Sequence, residues 1–331
     1  MSFKALLISG LILCCVVDLS AQVGANIHTP LNAYCSPGVA NKSRSRGIEF
    51  SYQSSRVGRW NGVNGINSYS LDGIEALTIK AKVPLLLKPG FTILAGYSYQ
   101  PEDIGMETSL GNDFPVLLPI DDTRLKSHGL ALYAIKSLDA RHYMALRFKI
   151  NSSGDYRGFL NFDRAFVSYS AIAAYGIKPH KDLEYGFGLS FSKNFRRTLV
   201  LPFMFYNKNF NDKLGIEATI PTDINLRWNM NQKTNLLVGY NLSGSDFGVN
   251  LATDFNNGAQ TNLFVLQHSE ILAGFSLERQ VVPWVWVNFK GGYQFNLNTR
   301  VQSMMPGIDD LRFRPDNGMY FRVGFFISPP R

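Results

Sequence analysis

The residues able to carry chemistry are charged side chains set into stretches that alternate apolar and polar residues. Lys80 and Lys82, Arg147 and Lys149 show the spacing, and Arg141, Arg227, Lys290 and Arg322 share the setting, as do Glu49, Glu75, Glu270 and Glu278. Such a set can neutralise itself as ion pairs in a filled interior. It can also line a water path and select permeating ions by charge. Other chemistry-bearing types are sparse. The five histidines (His28, His128, His142, His180 and His268) are scattered. Ser269 follows His268 directly, so on a strand the two face opposite ways and make no nucleophile–base pair. Nucleophile-elbow, phosphate-loop and His-Glu-x-x-His patterns are absent, as is Cys-x-x-Cys. Asp121-Asp122 and Asp309-Asp310 fall in long connections, where solvated turns or cation bridging to lipopolysaccharide account for them. The chain therefore reads as a non-enzyme with no catalytic residue, no cofactor and no metal.

The elements that must position these charges are strands. In 141–150, Met144, Leu146, Phe148 and Ile150 alternate with Tyr143, Arg147 and Lys149. In 224–230, Ile224, Leu226, Trp228 and Met230 alternate with Asn225, Arg227 and Asn229. Side chains on successive strand residues point to opposite faces, so each segment has one greasy and one wet side. Charged residues make up only 18% of the chain, while Tyr (15), Phe (24) and Gly (29) are abundant, as a barrel with one lipid face and one wet face requires. Arg or Lys facing lipid near the midplane costs about 2–4 kcal/mol, which assigns the charges to the lumen. The fold class is all-β: a transmembrane antiparallel up-and-down β-barrel of about fourteen strands. The strands fall near 45–56, 73–86, 90–100, 125–137, 140–151, 163–177, 182–193, 197–207, 213–220, 223–230, 234–243, 266–278, 283–297 and 318–328. If 213–230, interrupted at Ile220-Pro221-Thr222-Asp223, is one bent strand, twelve is the better count. Short turns alternate with longer connections at 57–72, 100–124, 152–162, 244–264 and 298–317, the asymmetry of periplasmic turns and outer loops.

Residues 1–21 read as a cleaved secretory leader, with Lys4 before an apolar run too short to span a bilayer and Ser20-Ala21 before the cut. Residues 22–44 form an irregular periplasmic arm, and 45–331 the barrel. Cys35 is the one cysteine beyond the leader, so no intramolecular disulfide is available. The net charge of +8 is dispersed, which speaks against nucleic-acid binding.

The stretches 82–103 and 201–248, and above all Ile216–Trp228 followed by a tight turn and Leu236–Leu242, resemble an uncharacterised family of Bacteroidetes-type outer-membrane β-barrels. More distantly, Leu31-Asn32-Ala33-Tyr34 resembles an N-terminal stretch of the secretion-accessory barrels of the same bacteria. The resemblance implies an outer-membrane barrel with no assigned activity. Its expected partners are outer-membrane lipids, lipopolysaccharide and the barrel-assembly machinery. The functional expectation is a structural or interaction barrel. The alternatives are a passive channel or transporter for small solutes, anions among them, a secretion-system accessory, and a barrel-wall lipid or glycan hydrolase.

Overall fold

A computed structural model of the chain describes residues 34–63, 68–106, 125–156, 166–194, 197–253, 260–303 and 310–328. The leader, residues 22–33 of the arm, Asp121-Asp122 and Asp309 lie outside the described residues. The strands are β1 (Ile48–Arg56), β2 (Arg59–Gly62), β3 (Tyr69–Lys88), β4 (Phe91–Met106), β5 (Leu125–Ser137), β6 (His142–Gly154), β7 (Val167–His180) and β8 (Leu183–Asn194). They continue with β9 (Arg197–Asn209), β10 (Leu214–Ile220), β11 (Asp223–Asn231), β12 (Thr234–Thr253), β13 (Gln260–Val282), β14 (Val285–Ser303), β15 (Leu311–Pro315) and β16 (Gly318–Ile327).

Each long strand pairs antiparallel with its neighbour in sequence, and β1 pairs with both β16 and β3, which closes the sheet. β2 and β15 are short and pair with each other above the far ends of β1 and β16, so the wall has fourteen strands. The stretch around Pro221 is a hairpin, with Leu214 opposite Trp228 and Thr219 opposite Asp223, and not one bent strand. That settles the count at fourteen over twelve. Ile48 lies opposite Ile327, so both ends of the wall meet at the short-turn rim. The opposite rim is the loop end.

Sidedness follows from register, because residues directly opposite in an antiparallel pair share a face. The outer face carries Leu132, Leu146, Phe187, Leu226, Phe275 and Phe325, all exposed. In water such a surface would be an anomaly; around a closed barrel it is a hydrocarbon-facing band. Inside, rings lie flat along the wall over glycines of the neighbouring strand. Tyr143 covers Gly176, Phe205 covers Gly186 and Phe203 covers Gly188; a Cβ there would meet a ring carbon at 2.2, 2.4 and 2.5 Å. Any larger residue would push these rings into the lumen.

Six strands, β3 to β5 and β12 to β14, carry the wall beyond the greasy band, and there the pattern reverses. Ile104, Leu125, Phe247, Phe264 and Leu266 point inward and, with Trp60 and Phe313, form a buried apolar core. A bridge between Gly154 of β6 and Gly248 of β12 draws the loop end together. The cap thus runs from β12 through β15 and β2 to β6, and leaves β7 to β11 outside its ring. Strands therefore occupy much of what the sequence suggested were loops: β2 lies within 57–72, β15 within 298–317, and β12 and β13 extend through most of 244–264.

Candidate functional site

The lumen wall is built by one register path. Lys82 lies opposite Gly96, Gly96 opposite Ala131, Ala131 opposite Lys149, Lys149 opposite Ser170, Ser170 opposite Ser192, and Ser192 opposite Leu199. On the other side Lys290 lies opposite Arg322, and Arg322 opposite Gln53. Lys80, Lys82, Arg147, Lys149, Lys290 and Arg322 therefore share the inner face, as the alternation predicts.

Their environment is short of acid. Glu49 and Glu278 face the same space, but both are held by Arg46, whose guanidinium donates to Glu49 Oε1 at 2.6 Å and to Glu278 Oε1 at 2.7 Å. Glu270 lies 3.2 Å from His268 Nε2. Among the described residues Lys80, Lys82, Arg147, Lys149, Lys290 and Arg322 form no ion pair. Arg322 donates to Gln53 Oε1 at 2.9 Å, and the Lys82 ammonium sits 5.2 Å from the Tyr133 ring centroid. Lys149 lies within electrostatic reach of Lys80 and Arg147, and Lys290 within reach of Arg322 and Arg46. The result is a cation-rich belt on β3, β6, β14 and β16, with Glu49 as a nearby carboxylate that acts on Lys80 and Arg322. β9 is seven strands from β1 in the ring of fourteen, hence on the far wall. It turns Leu199 and Leu201 inward, 49% and 46% exposed.

Three expected members stand apart. Glu75 is on the outer face, opposite Ser54 and beside Tyr52, because it is an odd number of residues from Lys80 on an unbroken register. It lies at the loop end, where the outward face is the polar one. Arg141 belongs to the β5–β6 turn and is exposed at the short-turn rim, its N–H donating to Asp139 Oδ1 at 2.7 Å. Arg227 faces inward but is 1% exposed, locked to Glu217 at 2.7 Å and to Asn209 at 2.5 Å. It is a structural ion pair with no free face. His268 is inward and bonded to Thr299 Oγ1 at 2.8 Å, while Ser269 turns outward. Thr299 is fully buried, so this chain of groups ties β13 to β14 and presents no nucleophile.

The sequence reading missed the arm's role. Residues 34–46 line the inside of the short-turn rim and are fastened strand after strand. The Cys35 N–H donates to Ser137 Oγ (2.8 Å) and the Gly38 N–H to Glu184 Oε1 (2.6 Å). Ser43 donates from N and Oγ to Glu217 at 2.8 and 2.6 Å, and Arg46 closes the row at Glu278 and Glu49. The inward acids of the rim thus bond the arm, and Glu49 alone among them also acts on Lys80 and Arg322, so the belt keeps an excess of cations. Half of these bonds use backbone donors, which no side-chain pattern reveals; Arg46 was the one legible sign. Cys35 is buried, and burial pushes its thiol up, which keeps it protonated and inert.

No curated protein sequence matches the chain. Among solved structures it is similar to a Pseudomonas aeruginosa FadL homologue at 10% identity, over 85% of this chain and 89% of that one, with a TM-score of 0.42. A deletion mutant of the monoaromatic hydrocarbon channel TodX is similar at 11% identity, over 86% and 91%, with a TM-score of 0.40. The Pseudomonas putida toluene transporter TodX follows at 8% identity, over 89% and 92%, with a TM-score of 0.32. Residues 119–325, well over half of the chain, match the family described as a domain of unknown function, DUF6268, and the protein belongs to that family.

Proposed function

We propose that this barrel sits in the outer membrane with its short turns in the periplasm, and conducts small organic anions. The observation that carries the reading is the belt of lumen cations that form no salt bridge among the described residues and outnumber the carboxylates near them. A filled interior that existed for stability would pair its charges, because unpaired like charges cost free energy and contribute none. Here Glu49 and Glu278 bond Arg46 of the arm and Glu217 bonds the arm and Arg227, and the belt keeps an excess of positive charge for a passing anion. The exposed Leu199 and Leu201 on the far wall suit a carbon skeleton attached to the anionic group. Among the described residues the cap ring excludes β7 to β11, which leaves the inner face of those strands as the path.

The test is conductance in planar bilayers under a salt gradient. The wild type gives discrete steps with a reversal potential displaced toward anions. Lys149→Glu with Lys290→Glu displaces it toward cations. A wild type without steps at any voltage, or a double variant with unchanged selectivity, ends this reading.

A further inference from the structure

We infer that a cleft at the short-turn rim binds the carboxylate-bearing peptide of a cell-wall glycan, and so tethers the barrel to the wall. The cleft, of about 630 Å³, lies between the arm, the β9–β10 turn and the β11–β12 turn. It is separate from the cation belt and shares no residue with it.

Its lining is strongly biased. Arg44, Lys42, Lys213 and Lys233 contribute cations, and Asp212 is the one carboxylate. The Arg44 guanidinium stacks over Trp286, 5.3 Å from the ring centroid, which fixes its plane. Its N–H groups meet no acceptor among the described residues. The remaining polar lining is primary amides apart from Ser328 and the Trp286 indole. Asn229 donates to the Asn41 carbonyl at 3.1 Å, yet its own Oδ1 is buried with no hydrogen-bond partner. Gln232, Asn235 and Gln280 also line the cleft and bond to nothing described through their side chains. A buried acceptor without a donor is destabilising, so the site gains from a ligand toward which the Asn229 amide can turn.

Fixed guanidinium, flexible ammonium groups and open amides together fit a ligand with carboxylates and repeated peptide N–H and C=O groups. A small inorganic anion would use the cations and leave the amides idle. The cleft is half-open and not an enclosed cavity, which suits a segment of a polymer better than a swallowed solute. The polymer of that chemistry facing the periplasmic end of an outer-membrane barrel is the wall glycan with its acidic peptides. The inference rests on the orientation given above but not on conduction.

The test uses the full-length barrel in detergent micelles, sedimented with isolated cell-wall sacculi. Wild type co-sediments, salt weakens the association, and free wall peptides compete while glycan stripped of peptide does not. Lys213→Glu with Lys233→Glu changes two exposed turn residues and weakens binding at least about tenfold. Heat-modifiability on gels and bilayer conductance of the variant stay as in the wild type. A wild type left in the supernatant, a double variant that sediments equally, or competition by stripped glycan overturns the inference. Binding without conductance sinks the channel alone, and conductance without binding sinks the tether alone.

Discussion

β12 holds two opposite proteins in one strand. Along Leu236–Leu242 the even-numbered residues are apolar and face out: Leu236, Val238, Tyr240 and Leu242. From Phe247 onward the odd-numbered residues are apolar and face in: Phe247 and Val249 are 2% and 1% exposed. No bulge intervenes in the pairing with β13, so the backbone continues unchanged while the chemistry of its two faces is exchanged. The lower half turns apolar residues outward to hydrocarbon and polar ones inward; the upper half turns polar residues outward and buries its own core. What surrounds the wall, and not the wall itself, decides which face is greasy. The same exchange separates Leu130 from Leu125 on β5 and Phe275 from Phe264 on β13.

Breaking the upper half costs most. Phe247→Ala empties a ring-sized volume in the cap core and lowers stability by about 3–5 kcal/mol, read by unfolding in lipid vesicles. A loss below about 1 kcal/mol would show that the cap is not a packed core. A charge on the outer face sharpens the comparison. Val238→Arg places a guanidinium against lipid and costs about 2–4 kcal/mol. Gln267→Arg, also outward but beyond the exchange, stays within about 0.5 kcal/mol. Equal costs at the two positions would put both halves in the same medium and undo the account.

The exchange explains what was legible. In the lower half every strand was found, several to within a residue or two at their ends, because one rule of alternation held throughout: the expected 125–137 and 223–230 stand against Leu125–Ser137 and Asp223–Asn231. At Gly244-Ser245-Asp246 the apolar parity lapses before it resumes on the other face. The lapse reads as a loop, and so the ends of β12 and β13 were lost. Glu75 was misplaced by the same step. It stands on the polar face, but of the upper half, where the polar face looks outward. The belt was legible because Lys80, Lys82, Arg147 and Lys149 fall where the lower rule holds. The arm was not, since Gly38 and Ser43 engage Glu184 and Glu217 through backbone N–H groups that any sequence would supply.

The smallest effect separates the short-turn rim from both halves. Asp139 lies outside the membrane band, in the β5–β6 turn. It accepts from the N–H groups of Arg141 and His142 at 2.7 and 2.9 Å and from His142 Nδ1 at 2.7 Å. Those bonds, the Arg141 N–H foremost, hold its carboxyl below the usual carboxylate range. A depressed folded pKa means the unfolded chain takes up the proton first as the medium acidifies. The stabilisation is complete above the ordinary aspartate value of about 4 and drains away as pH falls through the lower folded value. Melting temperature should therefore drop on acidification in that window for the wild type. Asp139→Asn removes the titrating group, starts lower at neutral pH and flattens the same limb. Neither half of the wall has a part in this, so the Val238→Arg and Phe247→Ala proteins should keep the wild-type acid limb on their lowered baselines. If either loses it, the rim and the wall unfold as one coupled unit and the turn does not titrate on its own.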